Sequence, residues 1–278
     1  MTVAAADVKT LRQETGAGMM DCKKALQQAN GDLDQARKYL REQGVAKAAK
    51  RSSRDASEGS VYYLISDDKH TGVLLEVNCE TDFVARSTPF KTFVAAVAKA
   101  ALVNKDSDVK SLEERTLEQG GSVESARHAA VQSMGENIQI KRVQFIDAGQ
   151  ASLAGYQHGD GLSVLVALSK DNAEVGKNIA MHVAALNPAA VQEQDIPAEL
   201  IDQERSIYES QLKDSNKPEE IRNKIIAGKL KKYAGTLCLY GQAYVKDPKQ
   251  TVAEYLQQEK VDVTKFQRFA LGEILTTA

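Results

Sequence analysis

Apolar residues recur at three- and four-residue steps through the first part of the chain: Val8 and Leu11, then Cys22, Ala25, Leu26 and Ala29, then Leu33, Ala36 and Leu40. That spacing puts each set on one face of a 3.6-residue helix and predicts three short helices. Gly16-Ala17-Gly18 separates the first two, and Asn30-Gly31 precedes Asp32, an N-cap candidate with Gln35 three residues on, as in a capping box. Residues 46–54, rich in Ala, Lys, Arg and Ser, read as a linker with some helical character. From residue 60 the period changes to two. Val61, Tyr63 and Ile65 alternate, as do Val73, Leu75, Val77 and Cys79 after the turn-rich 67–72 segment, which predicts a β-hairpin. Ser87 or Thr88 followed by Pro89 opens a helix whose apolar face is Phe90, Phe93, Val94, Val97 and Ala101.

A further helix over 123–134 leads to a third strand through Ile138, Ile140, Val143 and Phe145, with a bulge or register change. The plan then repeats, with strands at 154–158 and 163–168 and a helix over 172–186 that ends at Asn187-Pro188. The third strand of this second unit is delayed by a charged helical hairpin, 198–233, broken at 215–218. Strands are expected at 237–240 and 243–245, a helix after the Thr251/Glu254 capping box, and a last strand over 266–271. The pattern defines an α+β protein: a three-helix domain at 1–45, a linker at 46–59, and two α+β subdomains with antiparallel sheets at 60–150 and 151–278, the second carrying the 198–233 hairpin.

Composition narrows the function more than the fold. Among 278 residues, 42% are hydrophobic and 27% charged, enough to bury a core and too balanced for a disordered or fibrous chain. No run approaches the roughly 18 apolar residues of a membrane span, and the first residues lack the basic flank and apolar stretch of a secretory leader. The expectation is a cytoplasmic protein with no membrane contact. Cys22, Cys79 and Cys238 are odd in number and widely spaced, which writes neither a disulfide framework nor a CxxC site. The formal net charge of −2 gives no global attraction to nucleic acid, although residues 1–56 hold eleven Lys/Arg against seven Asp/Glu.

Enzyme signatures are missing. There is no phosphate-binding G-x-x-x-x-G-K-[ST], no dinucleotide G-x-G-x-x-G, no H-E-x-x-H and no G-x-S-x-G. His70, His128, His158 and His182 lie far apart in sequence. No catalytic residue, metal site or cofactor is expected, and a binding role is preferred. Two stretches draw the eye. In Gly18-Met19-Met20-Asp21, two methionines open a helix over a small core, so that either one faces it and the other is exposed or both pack inside as flexible gap-fillers; Arg12 and Lys23 flank them. In residues 76–86 a strand ends in a charged, turn-prone stretch around Phe83. That ring either prolongs the odd-numbered inward face of Val73 to Cys79 or stands at an exposed loop tip as an interface anchor.

These two stretches, with the architecture around them, closely resemble the bacterial elongation factor Ts family, the guanine-nucleotide exchange factors of elongation factor Tu. Residues 11–26 are similar to the family's N-terminal signature and residues 76–86 to its second one around Thr-Asp-Phe-Val; Tyr156-Gln157-His158-Gly159 and residues 179–185 are similar to further family segments. The resemblance implies an N-terminal domain like ubiquitin-associated three-helix modules, and binding to elongation factor Tu in its GDP-bound and nucleotide-free states. It implies that Asp82 and Phe83, with Thr81 and Val84 around them, enter the partner's G domain near its magnesium site. Arg12, Met19, Met20, Lys23, Lys50 and Arg51 would touch the same domain, and His158 would meet the partner from the second subdomain. It also implies that the hairpin could support a homodimer or a heterotetramer with elongation factor Tu, with no direct nucleic-acid binding. Many relatives continue into a C-terminal helix that touches the partner; the run from Phe269 to Ala278 stops short of it, and that contact is not expected. Outside the resemblance, an adaptor that holds a partner without changing its nucleotide state and an RNA-binding translation protein are the competing readings.

Overall fold

A computed structural model describes residues 3–213, 215 and 218–273. The expected break of the hairpin at residues 216 and 217, and the chain after Glu273, lie outside the described residues. In chain order the elements are α1 (Ala5–Thr15), α2 (Met19–Gln28), α3 (Leu33–Arg51), β1 (Glu58–Ile65), β2 (Thr71–Cys79), α4 (Asp82–Arg86), α5 (Thr88–Asn104), α6 (Val109–Glu113), α7 (Val123–Met134) and β3 (Gln139–Asp147). They continue with β4 (Ser152–His158), β5 (Leu162–Leu168), α8 (Ala173–Leu186), α9 (Ala198–Leu212), α10 (Glu219–Leu237), β6 (Ala243–Tyr244), β7 (Asp247–Thr251), α11 (Val252–Glu259) and β8 (Val263–Ala270). The class is α+β, with small sheets ordered β1-β2-β3, β4-β5-β8 and β6-β7.

The chain forms two compact units. The first is the chain up to Asp147 together with Gln157–Ser163 and Phe269–Glu273; the second comprises Ala148–Tyr156 and Val164–Arg268. In the first unit, α1 to α3 close a small core of Leu11, Ala17, Cys22, Ala25, Leu26, Ala29, Ala36 and Leu40. The glycine turn works as the sequence suggests: Gly16 takes φ 66° and its N–H bonds to the Arg12 carbonyl. Asp32 caps α3 by accepting from the Gln35 N–H at 2.9 Å. The segment expected to be a linker is, as far as Arg51, the last part of α3. Ala48 there is buried in the core of the following sheet. Gly44 lets α3 lie close on α7, because a Cβ at this position would stand 3.0 Å from Gln132 Oε1 and 3.4 Å from the His128 carbonyl. Arg51 Nη1 donates to the Val131 carbonyl at 3.0 Å across the same junction.

β1 and β2 pair antiparallel from Glu58/Cys79 to Ile65/Gly72. The β2–β3 ladder shifts register between Glu76 and Val77, in keeping with the bulge or register change expected of the third strand. One face of this sheet takes α5, with Phe90, Phe93, Val94, Val97 and Ala101 meeting Val73, Leu75, Val77 and Cys79. Burying each large apolar side chain contributes roughly 1.5–3 kcal/mol. Within the unit a buried ion pair fastens residues 269–273. Arg142 Nε donates to Glu76 Oε2 at 2.6 Å and Arg142 Nη2 to the Ala270 carbonyl at 2.7 Å; the Gly272 N–H donates to Glu76 Oε1 at 3.0 Å, and the guanidinium lies 3.9 Å from the Phe269 ring centre.

In the second unit, Asn172 caps α8 and Thr251 with Glu254 forms the expected capping box for α11. The strand expected at 237–240 does not form. Leu237 ends α10, Cys238 makes one bridge to Ala190, and Leu239–Gly241 is a 3₁₀ turn. The apolar run there reads equally as the buried end of a helix, and Ala234 and Cys238 pack with Ala190 and Ile196. The short helices α4 and α6 were not expected, since five-residue helices are set by caps rather than by periodicity.

Candidate functional site

The second of the two stretches folds as a capped turn of helix. Thr81 is extended (φ −130°, ψ 153°) and its Oγ1 accepts from the Val84 N–H at 3.4 Å, so the residues that follow coil into α4. Ser87 ends α4, its N–H bonding to the Val84 carbonyl at 2.9 Å, and caps α5 by accepting from the Phe90 N–H at 3.4 Å. Five residues of helix cannot bury all their side chains. Ala85 is buried and Val84 half-buried against the β1–β3 core, while Asp82 and Phe83 fall on the other side. The inward strand face therefore stops at Cys79, and Phe83 is 83% exposed. Asp82 leans on Arg86 one turn later at 3.3 Å, which leaves the ring at the corner.

A network of hydrogen bonds holds this corner from behind. One carboxylate, Glu136, accepts from the Glu80 and Thr81 N–H groups at 3.1 and 3.0 Å and from the Thr81 hydroxyl at 2.6 Å. In return Glu80 Oε1 accepts from the Asn137 N–H at 2.6 Å and lies 3.5 Å from Arg54 Nη1. Asn137 Nδ2 donates to the Arg54 carbonyl at 2.8 Å. Sequence reasoning missed Glu136, Asn137 and Arg54, because the three segments lie more than fifty residues apart in pairs involving 136 or 137. A trace exists for Thr81 only, as a threonine three residues before Val84 at the end of a strand.

Both methionines of α2 are exposed, Met19 by 58% and Met20 by 73%, where one or both were expected to face the core. The space beneath the start of α2 is closed by Ala17, which is 1% exposed, and the inward face begins at Cys22. Asp21 in the first turn pairs with Lys47 of α3 at 2.7 Å. Arg12, Lys23 and Lys50 are exposed on α1, α2 and α3, whereas Arg51 is half-buried with one guanidinium N–H committed to α7. His158 is exposed as the last residue of β4, at the turn into β5. That turn is held within the first unit by the Asp160 carbonyl, which accepts from the Val61 N–H at 2.7 Å, and by an ion pair from Asp160 to Lys91 at 3.2 Å.

The three cysteines and two of the histidines are engaged in structure. Burial pushes the Cys79 thiol up to about 12 and raises Cys22 and Cys238, so these are packing residues rather than nucleophiles. His182 is fully buried and lowered by that burial; its Nδ1 accepts from the Val245 N–H at 3.1 Å, so Nε2 carries the proton toward Gln242 Oε1 at 2.9 Å. Burial also lowers His128, with Arg127 acting the same way and Glu124 opposing. Among the described residues no three His, Cys, Asp or Glu side chains gather to hold a metal ion, and no helix is long and apolar enough to cross a membrane.

What fold and surface define is an α+β protein that holds apolar side chains outward, Phe83 on a capped turn of helix and Met19 and Met20 at the start of α2, a surface suited to contact with another macromolecule. Its sequence places it more narrowly. The family model described as elongation factor TS matches residues 80–273. Elongation factor Ts of Thioalkalivibrio sulfidiphilus is 43% identical over 274 residues, 98% of this chain and 93% of the relative. That of Idiomarina loihiensis is 43% identical over 273 residues, covering 98% and 92%, and that of a Psychrobacter species 44% over 271 residues, covering 98% and 91%. The chain belongs to the elongation factor Ts family, a family of translation elongation factors in protein biosynthesis.

Proposed function

We propose that this chain is a guanine-nucleotide exchange factor that binds elongation factor Tu carrying GDP, perturbs the partner's magnesium and phosphate site, and releases GDP so that GTP can bind. The observation that carries the reading is Phe83, an aromatic ring 83% exposed on a braced turn of helix in a protein of this family. A ring held outward at a corner fills a partner's pocket without first paying to order itself. Thr81 and Val84 hold the corner; Asp82 and Phe83 reach the partner's G domain. Met19 and Met20, with Arg12, Lys23, Lys50 and the free part of Arg51, supply a second area of contact from a three-helix module of the ubiquitin-associated kind. His158, which the end of β4 brings into the first compact unit, supplies a third.

The mechanism is differential binding. If the chain binds nucleotide-free elongation factor Tu more tightly than the GDP-bound form, then GDP weakens the chain's grip by the same factor as the chain weakens GDP. A metal ion neutralises much of the phosphate charge in such a site, and disturbing it loosens the nucleotide. No covalent bond changes, and the chain needs no cofactor of its own; its place of work is the cytoplasm. Stopped-flow release of a fluorescent GDP analogue from elongation factor Tu of the same organism tests this. Saturable acceleration by the chain is expected, and complex formation without acceleration would defeat it in favour of an adaptor.

The α9–α10 hairpin carries exposed Ile207 and Ile221, which supports self-association into a homodimer, or a heterotetramer with elongation factor Tu. Sedimentation at high protein concentration should show the dimer, and monomer alone would remove this part of the proposal.

A further inference from the structure

We infer that Glu136 is the positioning residue of the Phe83 corner: its carboxylate gathers the β2–α4 turn and fixes the direction in which α4 presents the ring. The inference rests on the exchange-factor reading and adds to it a residue that touches no partner. Three donors converge on this one carboxylate, the N–H groups of Glu80 and Thr81 and the Thr81 hydroxyl, at 3.1, 3.0 and 2.6 Å. The Thr81 hydroxyl is also the acceptor that caps α4. With its proton directed to Glu136, its lone pairs face the Val84 N–H, so the carboxylate orients the cap as well as the turn. A helix of five residues has too few internal hydrogen bonds to hold its own direction. What fixes α4 must come from outside it, and on its N-terminal side that is Glu136.

The brace has a second half. Glu80 and Glu136 exchange backbone donors: Glu136 takes the N–H of Glu80, and Glu80 takes the N–H of Asn137 at 2.6 Å. Arg54, three residues past α3, meets Glu80 through its guanidinium at 3.5 Å and Asn137 through its carbonyl at 2.8 Å. The chain that carries Met19 and Met20 is thereby tied, within one compact unit, to the corner that carries Phe83. Each contact area is therefore offered in a fixed direction before any partner arrives, which limits the ordering cost of binding.

The test compares Glu136→Ala, Glu136→Gln, Phe83→Ala and the Glu136→Ala/Phe83→Ala double variant in GDP release from elongation factor Tu. Hydrogen exchange of the Val84, Ala85 and Arg86 amides and thermal unfolding accompany each. Glu136→Ala should speed exchange of the α4 amides at least about tenfold while unfolding stays cooperative, and should slow stimulated GDP release about tenfold. Glu136→Gln keeps an acceptor for the backbone donors and should recover most of the rate. The double variant should release GDP no more slowly than Phe83→Ala alone, because a ring that has been removed cannot be mispositioned; a loss from general destabilisation would instead add to it. Unchanged α4 amide exchange in Glu136→Ala overturns the inference whatever the nucleotide assay gives. So do additive losses in the double variant. If the parent accelerates release and Phe83→Ala matches it, the role of Phe83 falls and this inference with it; if the parent itself does not accelerate release, the exchange-factor reading has failed, which the amide data distinguish from failure of the brace.

Discussion

At the scale of single residues, Phe83 forgoes the roughly 2–3 kcal/mol that burying a phenylalanine side chain brings. The folded chain gains nothing from this ring that a smaller side chain would lose. Phe83→Ala should therefore leave the free energy of unfolding within about 0.5 kcal/mol of the parent, as substitutions at exposed sites do, measured by urea titration. The same substitution should slow stimulated GDP release at least about tenfold, since interface anchors cost about 2 kcal/mol or more when truncated and about 1.4 kcal/mol is already a factor of ten. The two measurements together separate a binding residue from a packing one. Met19 and Met20 are also exposed, but methionine adapts to many pockets, whereas a planar ring at a braced corner has one direction of approach.

Among the elements, the β1–β2 pair sets the frame from which α4 leaves. Gly59 sits opposite Asn78 in this ladder with φ +150°, and a Cβ there would lie 2.1 Å from the Val77 carbonyl oxygen and 2.7 Å from Asn78 Cα. Only a residue without a Cβ lets the two backbones come this close, and backbone atoms cannot swing aside as a long side chain can. Gly59→Ala should destabilise the protein by about 3 kcal/mol or more, combining backbone strain with displacement of the ladder; a urea midpoint equal to the parent's would contradict this. The consequence reaches the site, because β2 ends at Cys79, three residues before α4 begins. A ladder pushed apart at Gly59 moves the turn that Glu136 holds.

For the whole molecule, pH is the condition that reaches several buried groups together. His128 and His182 are held below the usual imidazole value by burial, so each takes up a proton more readily in the unfolded chain than in the folded one. Their contribution to stability is complete above about pH 6.5, the unfolded value. It is lost as pH falls from there through the folded values. The carboxylates of Asp68, Asp108, Glu124 and Glu254 are lowered by hydrogen bonds or, for Glu124, by Arg127 against its own burial, and their contribution fails only at more acid pH. Burial raises Glu113, which acts in the opposite sense to the histidines. Urea midpoints should accordingly fall between pH 7.5 and 5.5. Replacing His182 with Gln should flatten that fall, although the folded state loses the Val245 bond.

Local rules made most elements legible in the sequence. Glycine turns, the Asp32, Ser87 and Thr251 caps, and the change from period four to period two were enough for the three helices, the first hairpin, α5, α8 and α11, because each depends on residues a few positions apart. Two apolar runs misled for a physical reason: Leu237 to Tyr240 has no periodicity that separates a strand from a helix end, and Met19-Met20 opens a helix whose core Ala17 had already closed. The candidate site divides in the same way. Phe83 was conspicuous in the sequence as an aromatic in a charged stretch, but its direction stayed open between inward and outward. Tertiary structure decided it, since the turn of α4 depends on a carboxylate at position 136 that no local pattern connects to Thr81. The sequence by itself determined most helices, strands and caps and made Phe83 conspicuous; the long-range hydrogen bonds among residues 54, 80, 81, 136 and 137 decided where that ring points, because backbone donors that the local chain leaves unpaired must find acceptors elsewhere in the fold.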